Sequence, residues 1–176
     1  PSNAAAIRSA VSSTLFDKIC KKNGVTPVVV LTGFKYIGEK IKEAEENDII
    51  EPGHLYLAAG GKHMNIIRGA TGHVIHYSDE PNREGVKPSA NYMYESLRDS
   101  TYDEVICVVL TGMGADGTAG IRNLKDSGKK THVMVQKGES CVVNGMPKAC
   151  TKAGLSDQVV DLADIAQEIL LHVGVK

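Results

Sequence analysis

Two apolar stretches constrain the fold most: Val28-Val29-Val30-Leu31-Thr32 and Val105-Ile106-Cys107-Val108-Val109-Leu110-Thr111. The first is short, β-branched and without polar alternation, which suits a strand covered on both faces. The second also reads as a strand. It runs into Gly112-Met113-Gly114-Ala115-Asp116-Gly117 and then into Ala119-Gly120-Ile121-Arg122-Asn123-Leu124, a helical pattern. Strand, glycine loop and helix in that order make an α/β unit.

The rest of the chain fits around that unit. Ile7, Val11, Leu15, Phe16 and Ile19 recur at helical spacing and predict an amphipathic helix from Ala4 to Cys20, ended by Lys21-Lys22-Asn23-Gly24. Phe34 to Ile41 has room for a further brief helix. Pro52-Gly53, Gly60-Gly61 and Thr71-Gly72 then punctuate Leu55-Tyr56-Leu57, Asn65-Ile66-Ile67 and Val74-Ile75-His76-Tyr77. The last two stretches predict an antiparallel hairpin turning at Gly69–Gly72. Residues 79–88 read as a loop, and Ser89 as the N-cap of a helix through Leu97. The helix after the glycine loop runs to Lys125 and exits at Gly128. His132 to Val135 reads as a strand, Gly145-Met146-Pro147 opens a short helix ending near Gly154, and Val159-Val160 leads to a last helix, Leu162 to Leu171. Helices alternating with short apolar strands predict a mostly parallel α/β sheet, with the hairpin as an antiparallel edge.

A chain of 176 residues is most economically one domain. Its 20 Lys and Arg against 21 Asp and Glu leave no basic stripe for nucleic acid. No run approaches the roughly 18 apolar residues of a membrane span, and no secretory signal is visible at the N-terminus. The four cysteines, Cys20, Cys107, Cys141 and Cys150, lack C-x-x-C spacing. Reduced thiols in a cytoplasmic protein fit them better than a disulfide framework. The six histidines, at 54, 63, 73, 76, 132 and 172, form no zinc-binding pattern, so no metal site is expected.

Gly112, Gly114 and Gly117 have the G-x-G-x-x-G spacing of a dinucleotide loop. Asp116, however, would set a carboxylate against the pyrophosphate. The next strand ends in Gln136-Lys137-Gly138, with only the poorly placed Glu139 for a ribose. A second reading puts Asp116 at a strand's C-terminal end to orient a histidine in a Ser-His-Asp relay, with glycine N–H groups as an oxyanion hole. A third has it cap the helix beginning near Thr118, and spacing alone favours this one.

Two longer motifs, Leu110-Thr111-Gly112-Met113-Gly114-Ala115-Asp116-Gly117 and Glu139-Ser140-Cys141-Val142-Val143-Asn144-Gly145-Met146-Pro147, change that balance. Together they resemble the catalytic domain of the chemotaxis protein-glutamate methylesterases, the CheB family. Lys42-Glu43-Ala44-Glu45, Pro52-Gly53-His54-Leu55-Tyr56-Leu57-Ala58 and Lys62-His63-Met64 match in the same order, so the resemblance runs from about residue 42 to 171. It implies a doubly wound, three-layer α/β/α fold with an antiparallel hairpin. It also implies hydrolysis of γ-glutamyl methyl esters on chemoreceptor cytoplasmic helices, with glutamine deamidation in some members. By the same resemblance Asp116 is the triad acid and the Met113 backbone N–H helps hold the oxyanion. No cofactor, metal, nucleic acid or membrane insertion is implied. The receiver domain that usually precedes the unit is not in the chain.

The opening residues depart from that pattern. The family's serine lies in a loop like G-A-S-T-G-G after its first strand, whereas this chain begins Pro1-Ser2-Asn3-Ala4-Ala5-Ala6-Ile7-Arg8. Ser2 is a weak candidate nucleophile and reads better as a cap of the predicted first helix. The family's histidine follows its second strand in Q-H-M-P, but here Thr32 runs into Gly33-Phe34 and no histidine precedes His54. His63 matches another family segment and reads as a turn or packing residue. Lys87-Pro88-Ser89-Ala90-Asn91 stands for R-P-S-V-D, and Asn144 for an aromatic. Two explanations stay open: family segments near residue 1 and at 32–36 are omitted, or the chain is a homologue without nucleophile and base. The cost of leaving a central strand's neighbours unpaired favours the first.

Overall fold

The computed structural model describes residues 4–7 and 41–173. Residues 8–20 of the predicted first helix, its stop at 21–24, the strand predicted at 28–32 and residues 34–40 of the helix predicted from Phe34 to Ile41, together with Ser2 and the Thr32–Gly33 join, lie outside the described residues, and Ile41 itself opens a strand.

The chain forms β1 (Ala4–Ile7), β2 (Ile41–Glu43), β3 (Leu55–Leu57), β4 (His63–Arg68) and β5 (His73–Ser78). These are followed by α1 (Ala90–Ser96), β6 (Glu104–Val109), α2 (Thr118–Asp126), β7 (Thr131–Gln136), α3 (Met146–Lys152), β8 (Gln158–Val160) and α4 (Ile165–His172). Among the described residues four strands make a parallel sheet in the order β1-β6-β7-β8. Ala5 lies opposite Val105, Cys107 opposite Val133, and Val135 opposite Val159. No described helix is long and apolar enough to cross a membrane.

One prediction is overturned. Ala4–Ile7 is a strand, not the start of a helix, and pairs in parallel with Glu104–Cys107. Alanine's helix propensity is a weak local preference. Four residues in register along β6 satisfy the backbone groups on that edge, and tertiary pairing wins.

Successive side chains of a strand point to opposite faces. In β6, Val105, Cys107 and Val109 join Val133 and Val135 against Met93, Tyr94 and Leu97 from the α1 region, Ile121 and Leu124 of α2, and Cys150 of α3. Val108 of β6 and Leu110 just after it turn the other way and pack with Val160, Ile165 and Ile169, the last two from α4. The sheet is therefore covered by helices on both faces, the three-layer α/β arrangement. Burial pushes the Cys107 thiol up to about 12 and that of Cys150 to about 11, so both stay protonated and behave as small apolar side chains.

The predicted hairpin is present, but among the described residues it stands apart from the parallel sheet rather than forming its edge. Asn65 pairs with His76, Ile66 with Ile75 and Ile67 with Val74, in a two-stranded antiparallel sheet of its own. Ile66 and Ile75 turn inward, 1% and 0% exposed. The Ser96 hydroxyl at the end of α1 accepts the Ile66 N–H at 2.8 Å, joining helix to hairpin. β2 and β3 form a short parallel pair, Lys42 opposite Tyr56.

Candidate active site

The C-terminal ends of β6 and β7 carry the two motif loops, and hydrogen bonds lock these loops together. The Gly112 N–H donates to the Val143 carbonyl at 2.9 Å, and the Gly112 carbonyl accepts from both Gly145 and Met146 N–H at 2.9 Å. The Thr111 hydroxyl donates to the Val143 carbonyl at 3.1 Å and accepts the Val143 N–H at 2.9 Å. Gly145 is required by this closeness: a Cβ there would lie 2.7 Å from the Gly112 oxygen and 2.8 Å from the Gly114 nitrogen. Beneath them Gln136, 1% exposed, braces both loops through its side-chain amide. Met113 and Val142 stand out into solvent, 86% and 92% exposed.

Asp116 does not cap its own helix. The N-cap of α2 is Gly117, in the left-handed region at φ 89°, with no side-chain cap bond. The capping reading from the sequence is thereby corrected. Gly117 turns the chain so that the carboxylate faces the neighbouring helix instead. Asp116 Oδ1 accepts the Ser89 hydroxyl at 2.6 Å and the Asn91 N–H at 3.3 Å, and Oδ2 accepts the Ala90 N–H at 2.7 Å. A carboxylate at the first N–H groups of a helix is favoured by charge as well as by hydrogen bonding. Ser89 caps α1 as predicted, its hydroxyl accepting the Asn91 N–H at 3.2 Å. The aspartate edges a cleft of about 190 Å³ whose walls include Tyr94, Leu110, Thr111, Gly112 and Met146.

His63 is fully buried. Its Nδ1 accepts the Ser89 N–H at 3.1 Å and its Nε2 lies 3.2 Å from the Pro81 carbonyl, which makes it a neutral ring protonated on Nε2. Tyr92 packs on it with ring centroids 4.5 Å apart. It is the packing histidine that the sequence suggested. The other five are engaged elsewhere: His54 with Pro52, His73 with Thr101, His76 with Glu46, His132 with Gln158 and His172 with Glu104. The chain's six histidines all lie among the described residues, and none is hydrogen-bonded to Asp116.

The structure thus brings Asp116 to the cleft and Met113 to the loop beside it, but brings no imidazole to either. A phosphate cradle at 112–117 loses support, since the Gly112 N–H is spent on Val143 and Asp116 supplies a negative charge. Sequence reasoning missed Gln136 and the second role of Ser89. A lone amide ending an apolar strand was the available signal for Gln136. Nothing local links Ser89 to a residue 27 positions away.

Comparison with known proteins places this geometry. The family model described as CheB methylesterase matches residues 35–169. A protein-glutamate methylesterase/protein-glutamine glutaminase of Oleidesulfovibrio alaskensis is 44% identical over 131 residues, 74% of this chain and 35% of that protein. A protein of the same name from Bacillus subtilis is 39% identical over 132 residues, 74% of this chain and 36% of its own length. The chain thus spans little more than a third of the curated relatives it matches. Among solved structures, the catalytic domain of Thermotoga maritima CheB methylesterase shares the fold. Its TM-score is 0.70 at 24% identity, over 92% of this chain and 79% of that one. With its motif loops interlocked at the strand ends and most of its length matched by the family model, the chain belongs to the CheB methylesterase family.

Proposed function

We propose that this chain is the hydrolytic unit of a protein-glutamate methylesterase, acting on γ-glutamyl methyl esters of chemoreceptor cytoplasmic helices in the cytoplasm. The observation that carries the reading is Asp116. A carboxylate is held at the C-terminal end of β6, on the edge of a cleft, beside a loop locked to the second family motif. In such a site the aspartate orients an imidazole, which takes the proton of a serine hydroxyl. The serine oxygen attacks the ester carbonyl, the oxyanion is held by backbone N–H groups including that of Met113, and methanol leaves with the proton. Water then attacks the acyl-enzyme and releases the glutamate. The relatives' names pair this activity with glutaminase, and the same steps on a glutamine side chain release ammonia. The chemistry asks for no cofactor or metal. A receiver domain in cis, as in the resemblance, would act on this unit.

A second reading keeps the receptor surface and loses catalysis. It is favoured by the six histidines, none of which reaches Asp116. Methanol release from a methylated receptor fragment decides between them. Release that falls on the order of 10³- to 10⁴-fold in Asp116→Asn supports the hydrolase. Saturable receptor binding with no methanol establishes the binding module. Neither binding nor release would remove both.

A further inference from the structure

We infer that Ser89 is the positioning residue of Asp116, a role that rests on the hydrolase reading above. The carboxylate receives nothing from its own loop that sets its orientation. Its partners come from the other side of the site: the Ser89 hydroxyl on Oδ1 at 2.6 Å, the Ala90 N–H on Oδ2 at 2.7 Å and the Asn91 N–H on Oδ1 at 3.3 Å. An ionised carboxylate offers about four lone-pair directions, so three donors leave about one, on Oδ2, for a group entering the cleft. The hydroxyl bond is the shortest of the three and runs from a neutral donor to a charge, the stronger kind of hydrogen bond.

Ser89 is itself held rather than free. It is 2% exposed, its N–H is fixed on His63 Nδ1 at 3.1 Å, and its oxygen accepts the Asn91 N–H at 3.2 Å. With that acceptor direction occupied, its proton points to Asp116. The same geometry removes Ser89 as a nucleophile, because its hydroxyl faces a carboxylate and is shut away from solvent. Helix α1 is also tied to α2, the Gly120 N–H donating to Asn91 Oδ1 at 2.6 Å. Ser89 therefore fixes Asp116 from a rigid two-helix frame.

The variants that separate this role from simple capping are Ser89→Gly and Ser89→Thr. Glycine serves at a helix cap nearly as well as serine but cannot donate, whereas threonine keeps the hydroxyl. On a methylated receptor fragment, Ser89→Gly is expected to lower kcat about tenfold or more with KM unchanged, the loss of one hydrogen bond to a charged group. Ser89→Thr restores turnover, and Ser89→Gly costs nothing further in an Asp116→Asn background. Wild-type turnover in Ser89→Gly overturns the proposal. If the wild type releases no methanol, the hydrolase reading fails instead, and amide exchange still reads the contact. The Ala90 N–H touches Asp116 and not Ser89, so its exchange quickens in Ser89→Gly while that of Leu124 does not. Unchanged exchange at Ala90 overturns the proposal in that case.

Discussion

The side chain of Gln136 and the backbone of Thr111 join the ends of β7 and β6: Oε1 accepts the Thr111 N–H at 2.9 Å, while Nε2 donates to the Ser140 carbonyl at 2.7 Å. One buried amide thus spans the root of both motif loops. Gln136→Leu leaves both backbone groups without a partner and should cost about 2–4 kcal/mol, read as a lower urea midpoint. Gln136→Glu tests the polarity of the brace. One oxygen keeps Thr111, and the other confronts the Ser140 carbonyl unless it carries a proton. The introduced carboxyl then has a folded pKa above its unfolded value of about 4.3, so its stability is present below that pH and lost as pH rises. The stability gap to wild type should be wider at pH 7 than at pH 4; an equal gap would refute the geometry.

Gly145→Ala should separate the two motif loops. The atoms that its Cβ would meet at 2.7 and 2.8 Å belong to backbone and cannot swing away. An overpacking cost of about 1–3 kcal/mol is expected, with lower turnover because the Met113 loop moves. Gly60 has open space about its Cβ position, and Gly60→Ala should melt within a degree or two of wild type.

Leu124 is fully buried between α2 and the sheet. Leu124→Ala should cost about 2–5 kcal/mol by calorimetry or denaturant titration. Leu171, 57% exposed on α4, should tolerate the same change within about 0.5 kcal/mol.

Acid should weaken the link between hairpin and sheet at His73. Burial, and then the charges of Lys129 and Arg68, hold its pKa below the ordinary histidine value. Its Nε2 accepts the Thr101 N–H at 3.1 Å, and its ring stacks on Tyr102 at 4.3 Å. The fold favours the neutral ring, so the unfolded chain binds more protons below its own pKa of about 6.5. This contribution is complete above that value and lost as pH falls toward the folded pKa. His73→Phe keeps the stack and removes the titration. Its stability should fall less than that of wild type between pH 7.5 and 5.5, and parallel losses would exclude the assignment.

What could be read from the chain was local. Ser89 as a cap, the Gly69–Gly72 hairpin and the strand–loop–helix around Asp116 each follow from spacing within one contiguous stretch of chain. Ala4–Ile7 could not be read, because its conformation is decided by a partner strand a hundred residues away. The same holds for Asp116. The motif singled out its carboxylate, but its partners sit at the start of α1 and its N-cap, 25 to 27 positions earlier. The last helix was found, yet it begins at Ile165 rather than Leu162, since Asp161 and Leu162 are still in the turn leaving β8.

The exchange between Thr111 and Val143 has the form of a sheet pairing made partly by a side chain, and a parallel bridge between Gly112 and Asn144 continues it. The motif loops therefore prolong the ladder beyond the strand ends, and their backbone is held there as sheet backbone is held. A group entering the cleft therefore meets an edge set by backbone hydrogen bonds at the strand ends.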